Sequence, residues 1–226
     1  MSIQRQIAFA AHSKSLCLFL GSGFSKHLCP DMPNWENLIR RCILRLPKNS
    51  RVDLKKIFFS SKKRSLPLED CAEILAEQFE IRGKVLKEEI ANIIKKASKG
   101  SEEFQSPNTV NFLQTISPLK VITTNYDLLI EKCLKKNSFQ SYCPDKSILH
   151  ESEARRIFHI HGSIEYPSGL VATTRDYYKF INIPNYFSLK TETMLYENTV
   201  LIIGYSATDT NLRAILDSYY RKTGGT

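Results

Sequence analysis

The stretch LFLGSGFS, residues 18–25, decides the reading of the fold. An apolar, strand-length run ends at Leu20 and breaks into Gly21-Ser22-Gly23. Glycine has no Cβ to hold a ligand off, so a strand passing through glycines into a turn brings backbone N–H groups close to a bound group. Three later stretches share the form: VITTNYDLL at 121–129, FHIHGS at 158–163 and VLIIGYSATD at 200–209. Each sets small or polar residues directly after an apolar run. Open α/β sheets bind ligands at such points, in the crevice beyond the carboxyl ends of their strands.

Outward from these stretches, strands and helices alternate. Strands are expected at Leu16–Leu20, Leu119–Thr123, Ser138–Cys143, Arg156–Ile160 and Thr199–Ile203, with Leu170–Thr173 extended. Helices are expected near 2–12, from Asn34 to Leu46, near 68–81 and 83–98, and from Asn108 to Ile116. Further helices follow at Tyr126–Lys136, 174–181, 186–196 and from Asp209 to about Tyr220. Pro47 should stop the second helix, and the basic segment 48–66 reads as loop-rich. Strands separated by helices imply a Rossmann-like, doubly wound parallel sheet of the α/β class. Residues 27–107, almost all helical in pattern, read as an insertion between the first two core strands of a single domain over 1–226.

Composition excludes several classes. The 226 residues suffice for one domain with a substantial core. The apolar runs are strand-sized, so a membrane span is not expected, and neither is a signal peptide. The six cysteines, Cys17, Cys29, Cys42, Cys71, Cys133 and Cys143, form no CxxC pair. They read as buried thiols of a cytoplasmic protein, with no disulfide framework and no metal site. The net charge of +9 admits an anionic partner, including nucleic acid, but much of the excess lies in Lys48–Arg51, Lys55–Lys56 and Lys62–Arg64. A solvated surface explains that cluster better than a nucleic-acid site.

Each motif has a structural and a functional reading. Gly21 and Gly23 permit close approach to a phosphate, and Ser22 and Ser25 can donate to it. The stretch is no P-loop, and Lys26 stands where a dinucleotide fingerprint has its third glycine. A plain strand-to-helix turn is the alternative. Thr123, Thr124 and Asn125 suit a helix N-cap, yet Asp127 beside them makes an amide–carboxylate pair able to bind ribose hydroxyls and hold a water. His159 and His161 should lie on one side of a strand with Ile160 opposite, and a histidine beside glycine at a strand end can be accessible and serve as a base. Gly204 permits close approach, Ser206 can bond a nucleotide, and Asp209 is equally a cap of the last helix.

The order GSGFS, ITTNYD, HIHGS, GYSATDTNLR resembles the sirtuin-like NAD-hydrolase domains of bacterial antiphage defence proteins. The resemblance implies a Rossmann-like sheet with NAD along its carboxyl edge. It sets Gly21, Ser22, Gly23 and Phe24 around the pyrophosphate and nicotinamide ribose. It also implies catalytic roles for Asn125, at the reacting ribose, and for His161, with Asp127 completing the asparagine–aspartate pair. Gly204, Tyr205 and Ser206 would contact the adenosine half. Two departures bear on activity. Deacetylating sirtuins carry a four-cysteine zinc module after the histidine, where this chain has no cysteine. They also carry a Pro-Asp-Phe-Arg loop, where this chain reads CPDMPNWENL. Thr124 replaces the glutamine common before the asparagine.

The resulting expectation is a metal-free NAD glycohydrolase releasing nicotinamide and ADP-ribose, an NAD-depleting effector that the resemblance implies is restrained until a partner or an infection signal releases it, with a homo-oligomer or a defence-system protein as the expected partner. The alternatives are a catalytically silent nucleotide-sensing or scaffold module of a nucleic-acid-guided complex, and a protein ADP-ribosyltransferase using the same pocket.

Overall fold

A computed structural model describes residues 2–59, 65–99, 106–134, 139–146, 155–183, 185–205, 216–217, 219–221 and 224. The chain runs α1 (Ile3–His12), β1 (Leu16–Leu20), α2 (Ser22–Leu28), α3 (Trp35–Ile43), α4 (Lys48–Phe58), α5 (Leu68–Glu80), α6 (Leu86–Ser98) and α7 (Pro107–Ile116). It continues through β2 (Lys120–Thr123), α8 (Leu129–Leu134), β3 (Phe139–Tyr142) and β4 (Arg155–His159). A short 3₁₀ turn at Pro167–Gly169 leads to α9 (Thr174–Asn182), α10 (Tyr186–Glu197) and β5 (Thr199–Ile203). Of the helix expected from Asp209, residues 209–215 lie outside the described residues, as does the 60–64 part of the basic segment.

The five strands form one parallel sheet, ordered β3-β4-β2-β1-β5. From β1 the chain moves to β2, β3 and β4 on one side and crosses to β5 on the other, the α/β arrangement that the alternation implied. Register then places the motifs. Leu20 pairs with Thr123 and with Ile203, and Thr123 pairs with His159. One row across the sheet therefore ends all four strands, and the polar stretches that follow them emerge along one edge.

Burial on both faces explains the unbroken apolar run of β1. Leu16, Leu18 and Leu20 join a cluster with α3, α5, α6 and α8, whereas Cys17 and Phe19 face a second cluster with Phe187 and Met194 of α10. The helical residues between β1 and β2 share the first core with the sheet. Capping fixes the far helices: Thr173 and Asp176 form a capping box on α9, and Asn185 and Ser188 another on α10. Ion pairs Lys87–Asp176 (2.8 Å) and Arg175–Glu73 (3.4 Å) tie α9 to α6 and α5.

Two local expectations are corrected. Residues 48–58 form a helix, not a loop. Pro47, expected to end a helix, stands at the N-cap of α4, where its missing N–H costs nothing. Leu54 and Phe58, four apart, are buried beneath a face on which Lys48, Lys55 and Lys56 are exposed. Helix α8 starts at Leu129 rather than Tyr126, because Asp127 Oδ1 accepts the Leu129 N–H (3.0 Å) and caps the turn from outside.

Candidate functional site

The glycine stretches meet each other first. The Gly21 N–H donates to Ile203 O and the Gly23 N–H to Gly204 O, both at 2.9 Å. A Cβ on Gly21 would lie 2.7 Å from Gly204 O, and Gly204 itself holds φ +76°, a conformation suited to glycine. These glycines let the end of β5 lie against the start of α2. The two N–H groups are engaged within the protein.

Asn125 occupies the centre of the edge. Its side-chain Nδ2 donates to Gly21 O (2.9 Å) and to Ser25 Oγ (2.8 Å), and its N–H to Thr123 Oγ1 (3.0 Å). Thr123 Oγ1 in turn donates to Leu20 O (2.8 Å), which locks β2 to β1. Both amide hydrogens are used, so Oδ1 is what the side chain has to offer a ligand. Thr124 Oγ1 and the Tyr205 hydroxyl share a 2.6 Å hydrogen bond. Asp127 is buried, and burial pushes its carboxyl above the ordinary range, with the Ser25 hydroxyl, the Leu129 N–H and the charge of His159 pulling against it.

The two histidines part company, contrary to the period-two expectation. Strand β4 ends at His159 and the chain turns at Ile160–His161, so alternation no longer applies. His159 is fully buried, with Nδ1 2.8 Å from Asn125 O and Nε2 2.6 Å from Glu131 Oε1. His161 is also buried, not accessible, and lies edge-on between Tyr177 and Phe180. Its Nε2 has no hydrogen-bond partner among the described residues, and burial alone pulls its pKa down to about 3. The imidazole is neutral at pH 7, and its unmatched nitrogen can accept or donate according to the tautomer.

Six of the expected residues line one cavity of about 120 Å³: Ser22, Ser25, Thr124, Asn125, Asp127 and His161. Gly23, Phe24 and Gly204 line a separate, mostly apolar cavity of about 290 Å³. Ser206 and Asp209 lie outside the described residues. The rest of the first wall comes from residues that were read as core or given no role. Met32, Pro33, Trp35 and Leu38 close it from α3 and the loop before it, Ile94 from α6, and Tyr126 and Tyr177 from the sides. Trp35 packs edge-on to Tyr126, and its Nε1 is the second buried polar atom on this wall without a partner. The clue in the sequence was a lone tryptophan following Pro-Asn at a helix start.

Among the described residues no group of three His, Cys, Asp or Glu side chains is placed to hold a metal ion, and no helix is long and apolar enough to cross a membrane.

Residues 119–226 match the SIR2-like domain family. Over that stretch the chain is similar to SIR2-like domains. It is 24% identical over 216 residues to the NAD(+) hydrolase ThsA of Cytobacillus dafuensis, covering 92% of this chain and 38% of that protein. The ThsA of Bacillus cereus (strain MSX-D12) is 34% identical over 99 residues, 42% of this chain and 21% of that protein. Defense-associated sirtuin 2 of Bacillus subtilis is 21% identical over 218 residues, 94% of this chain and 20% of that protein. The chain thus spans well under half the length of each of these relatives. Two of the three alignments cover nearly the whole chain, the helices between β1 and β2 included.

Proposed function

We propose that residues 1–226 act as one NAD-binding unit that hydrolyses the nicotinamide–ribose bond of NAD, giving nicotinamide and ADP-ribose in antiphage defence. The observation that carries this reading is a pair of polar groups at one cavity: Asn125 Oδ1, left to accept because both amide hydrogens are used, and His161 Nε2, which has no partner among the described residues. An amide oxygen, and an imidazole in the tautomer that leaves Nε2 unprotonated, suit hydroxyl donors, as a ribose and an attacking water present. A cavity of about 120 Å³ is near the roughly 150 Å³ that houses a benzene ring. A volume of that size takes one ring of the dinucleotide and not the whole molecule.

The chemistry follows from these residues. The C1–N bond breaks and its electron pair leaves with the nicotinamide ring, which becomes neutral. The ribose carbon turns oxocarbenium-like and takes the oxygen of a water held by Asn125. That water becomes strongly acidic as it bonds, so the weakly basic His161 suffices to accept its proton at Nε2. Acid–base help of this kind contributes about 10²–10⁴-fold. The relatives named NAD(+) hydrolase support the substrate, and the defence-associated sirtuin supports the setting.

The test is incubation of the protein with NAD labelled in the adenylate half. Nicotinamide and free ADP-ribose in equal amounts are expected. Label retained on protein would replace hydrolysis by transfer, and NAD left intact though bound would replace it by a sensor.

A further inference from the structure

We propose that the buried His159 and the half-buried Glu131 form an imidazolium–carboxylate pair that grips the main chain of Asn125 and so sets the aim of its side chain into the cavity. The inference rests on the reading of Asn125 as the residue that meets the ribose.

Hydrogen-bond chemistry fixes the proton count. Asn125 O can only accept, so His159 Nδ1 carries a proton across the 2.8 Å contact. The 2.6 Å contact from Nε2 to Glu131 Oε1 needs a second proton between those two atoms. The Ser141 hydroxyl donates to the same Oε1 at 2.7 Å, as to a carboxylate. Both ring nitrogens therefore donate. Burial by itself would pull the His159 pKa down, but the Glu131 charge and hydrogen bond outweigh it, with the Asn125 carbonyl and Asp127 adding, and the net shift is upward. Burial would push Glu131 up, yet His159 and Ser141 bring it below its ordinary value. Among the described residues, the other titratable groups near the pair are Asp127, Cys133 of α8 beside both carboxylates, and Cys143 just after β3, which feels the Glu131 charge.

The pair is a poor choice if packing were its only task. Burying two ions costs several kcal/mol, and an apolar pair of similar volume often serves stability equally well. Glu131 Oε2 is moreover buried without a partner. What an apolar pair cannot do is hold a carbonyl. The segment 124–126 lies between β2 and α8 and belongs to no strand or helix, so Asn125 O has no ladder partner. His159, at the end of β4, anchors that oxygen, and Glu131, on α8, anchors His159. One chain of contacts thus runs from α8 through β4 to Asn125, whose amide continues it to Gly21 and Ser25. His159 and Glu131 are positioning residues, since neither lines the cavity.

Two measurements test this on the intact protein. In ¹⁵N-histidine-labelled protein at pH 8, long-range ¹H–¹⁵N correlation should show His159 with both ring nitrogens protonated, its signal assigned by loss in His159→Gln. A neutral imidazole pattern would overturn the proposal. The second compares Glu131→Gln with wild type. Nicotinamide release should fall about 10–100-fold in kcat, as small misplacements of a reacting group do, with KM within about twofold. A drop in Tm with kcat unchanged would reduce the pair to a structural role and overturn the positioning. If wild type releases no nicotinamide, the functional reading fails separately. The Asn125 side-chain amide resonances then decide: they shift in Glu131→Gln if the pair aims the residue, and stay in place if it does not.

Discussion

Asn125 lies between two buried regions that treat the same residue type in opposite ways. Beneath it, His159 is ion-paired to Glu131 and hydrogen-bonded at both nitrogens. Beside it, His161 is walled by Tyr177 and Phe180, and its Nε2 has no partner among the described residues. The two stand two residues apart, and burial is complete for both. What differs is the company: a carboxylate holds the first charged, and aromatic edges hold the second neutral. A satisfied polar cluster builds a rigid floor, whereas an unsatisfied ring nitrogen on a cavity wall is left to meet a ligand. The role of a histidine here is set by neighbours from distant segments rather than by the HIHG stretch that carries it.

The difference should show most strongly in stability. His159→Ala removes two hydrogen bonds, one of them to the half-buried Glu131 carboxylate, and an unfolding free energy lower by about 2–4 kcal/mol is expected in urea melts. His161→Ala removes only ring-edge contacts worth roughly 0.5–1.5 kcal/mol each and the volume of the ring, so its loss should be clearly smaller. Equal losses would erase the distinction between floor and wall.

Next in size is the response to pH. His161 is depressed to about 3 in the fold, so the unfolded chain binds the extra proton between about pH 6.5 and 3, and stability drains away as pH falls through that window. His161→Phe should flatten this acid limb. His159 works in the other sense. Its folded pKa is raised, so its contribution is fully present below the ordinary histidine value and is lost only as pH rises through the raised one. Glu131, lowered in the fold, contributes above the ordinary carboxyl range and loses that contribution on acidification. His159→Gln should therefore change the alkaline limb of a stability–pH curve and leave the His161 window in place.

The smallest expected effect concerns the wall. Trp35→Phe keeps the ring that packs on Tyr126 and removes the unpartnered N–H. One neutral hydrogen bond to ligand is worth about 0.5–1.5 kcal/mol, so KM for NAD should rise roughly 2–10-fold with little change in Tm. An unchanged KM would mean that the indole meets no ligand atom.

Much of this was legible in the chain. The strand-length apolar runs that end in glycine or Thr-Asn gave β1, β2, β4 and β5 to within a residue at either end, because burial on both faces leaves little choice of side chain. The cluster of Ser25, Asn125, Asp127 and His161 followed, since strand ends in register bring their sequels together. Three things were not legible. The helix over 48–58 hid behind its lysines, with only Leu54 and Phe58 to mark its inner face. The aromatic wall depends on α3 and α9 packing against the sheet edge from far along the chain, which no local pattern encodes. Glu131 reads as one more charge in a helix until α8 is laid against β4.

The most direct test of the central claim is nicotinamide release from NAD by wild type beside Asn125→Ala and His161→Ala, each shown to be folded by its melt. The account predicts turnover in the wild type and a loss of about 10²–10⁴-fold in both variants. Turnover that survives both substitutions would contradict it, and would move the chemistry away from the cavity between Asn125 and His161.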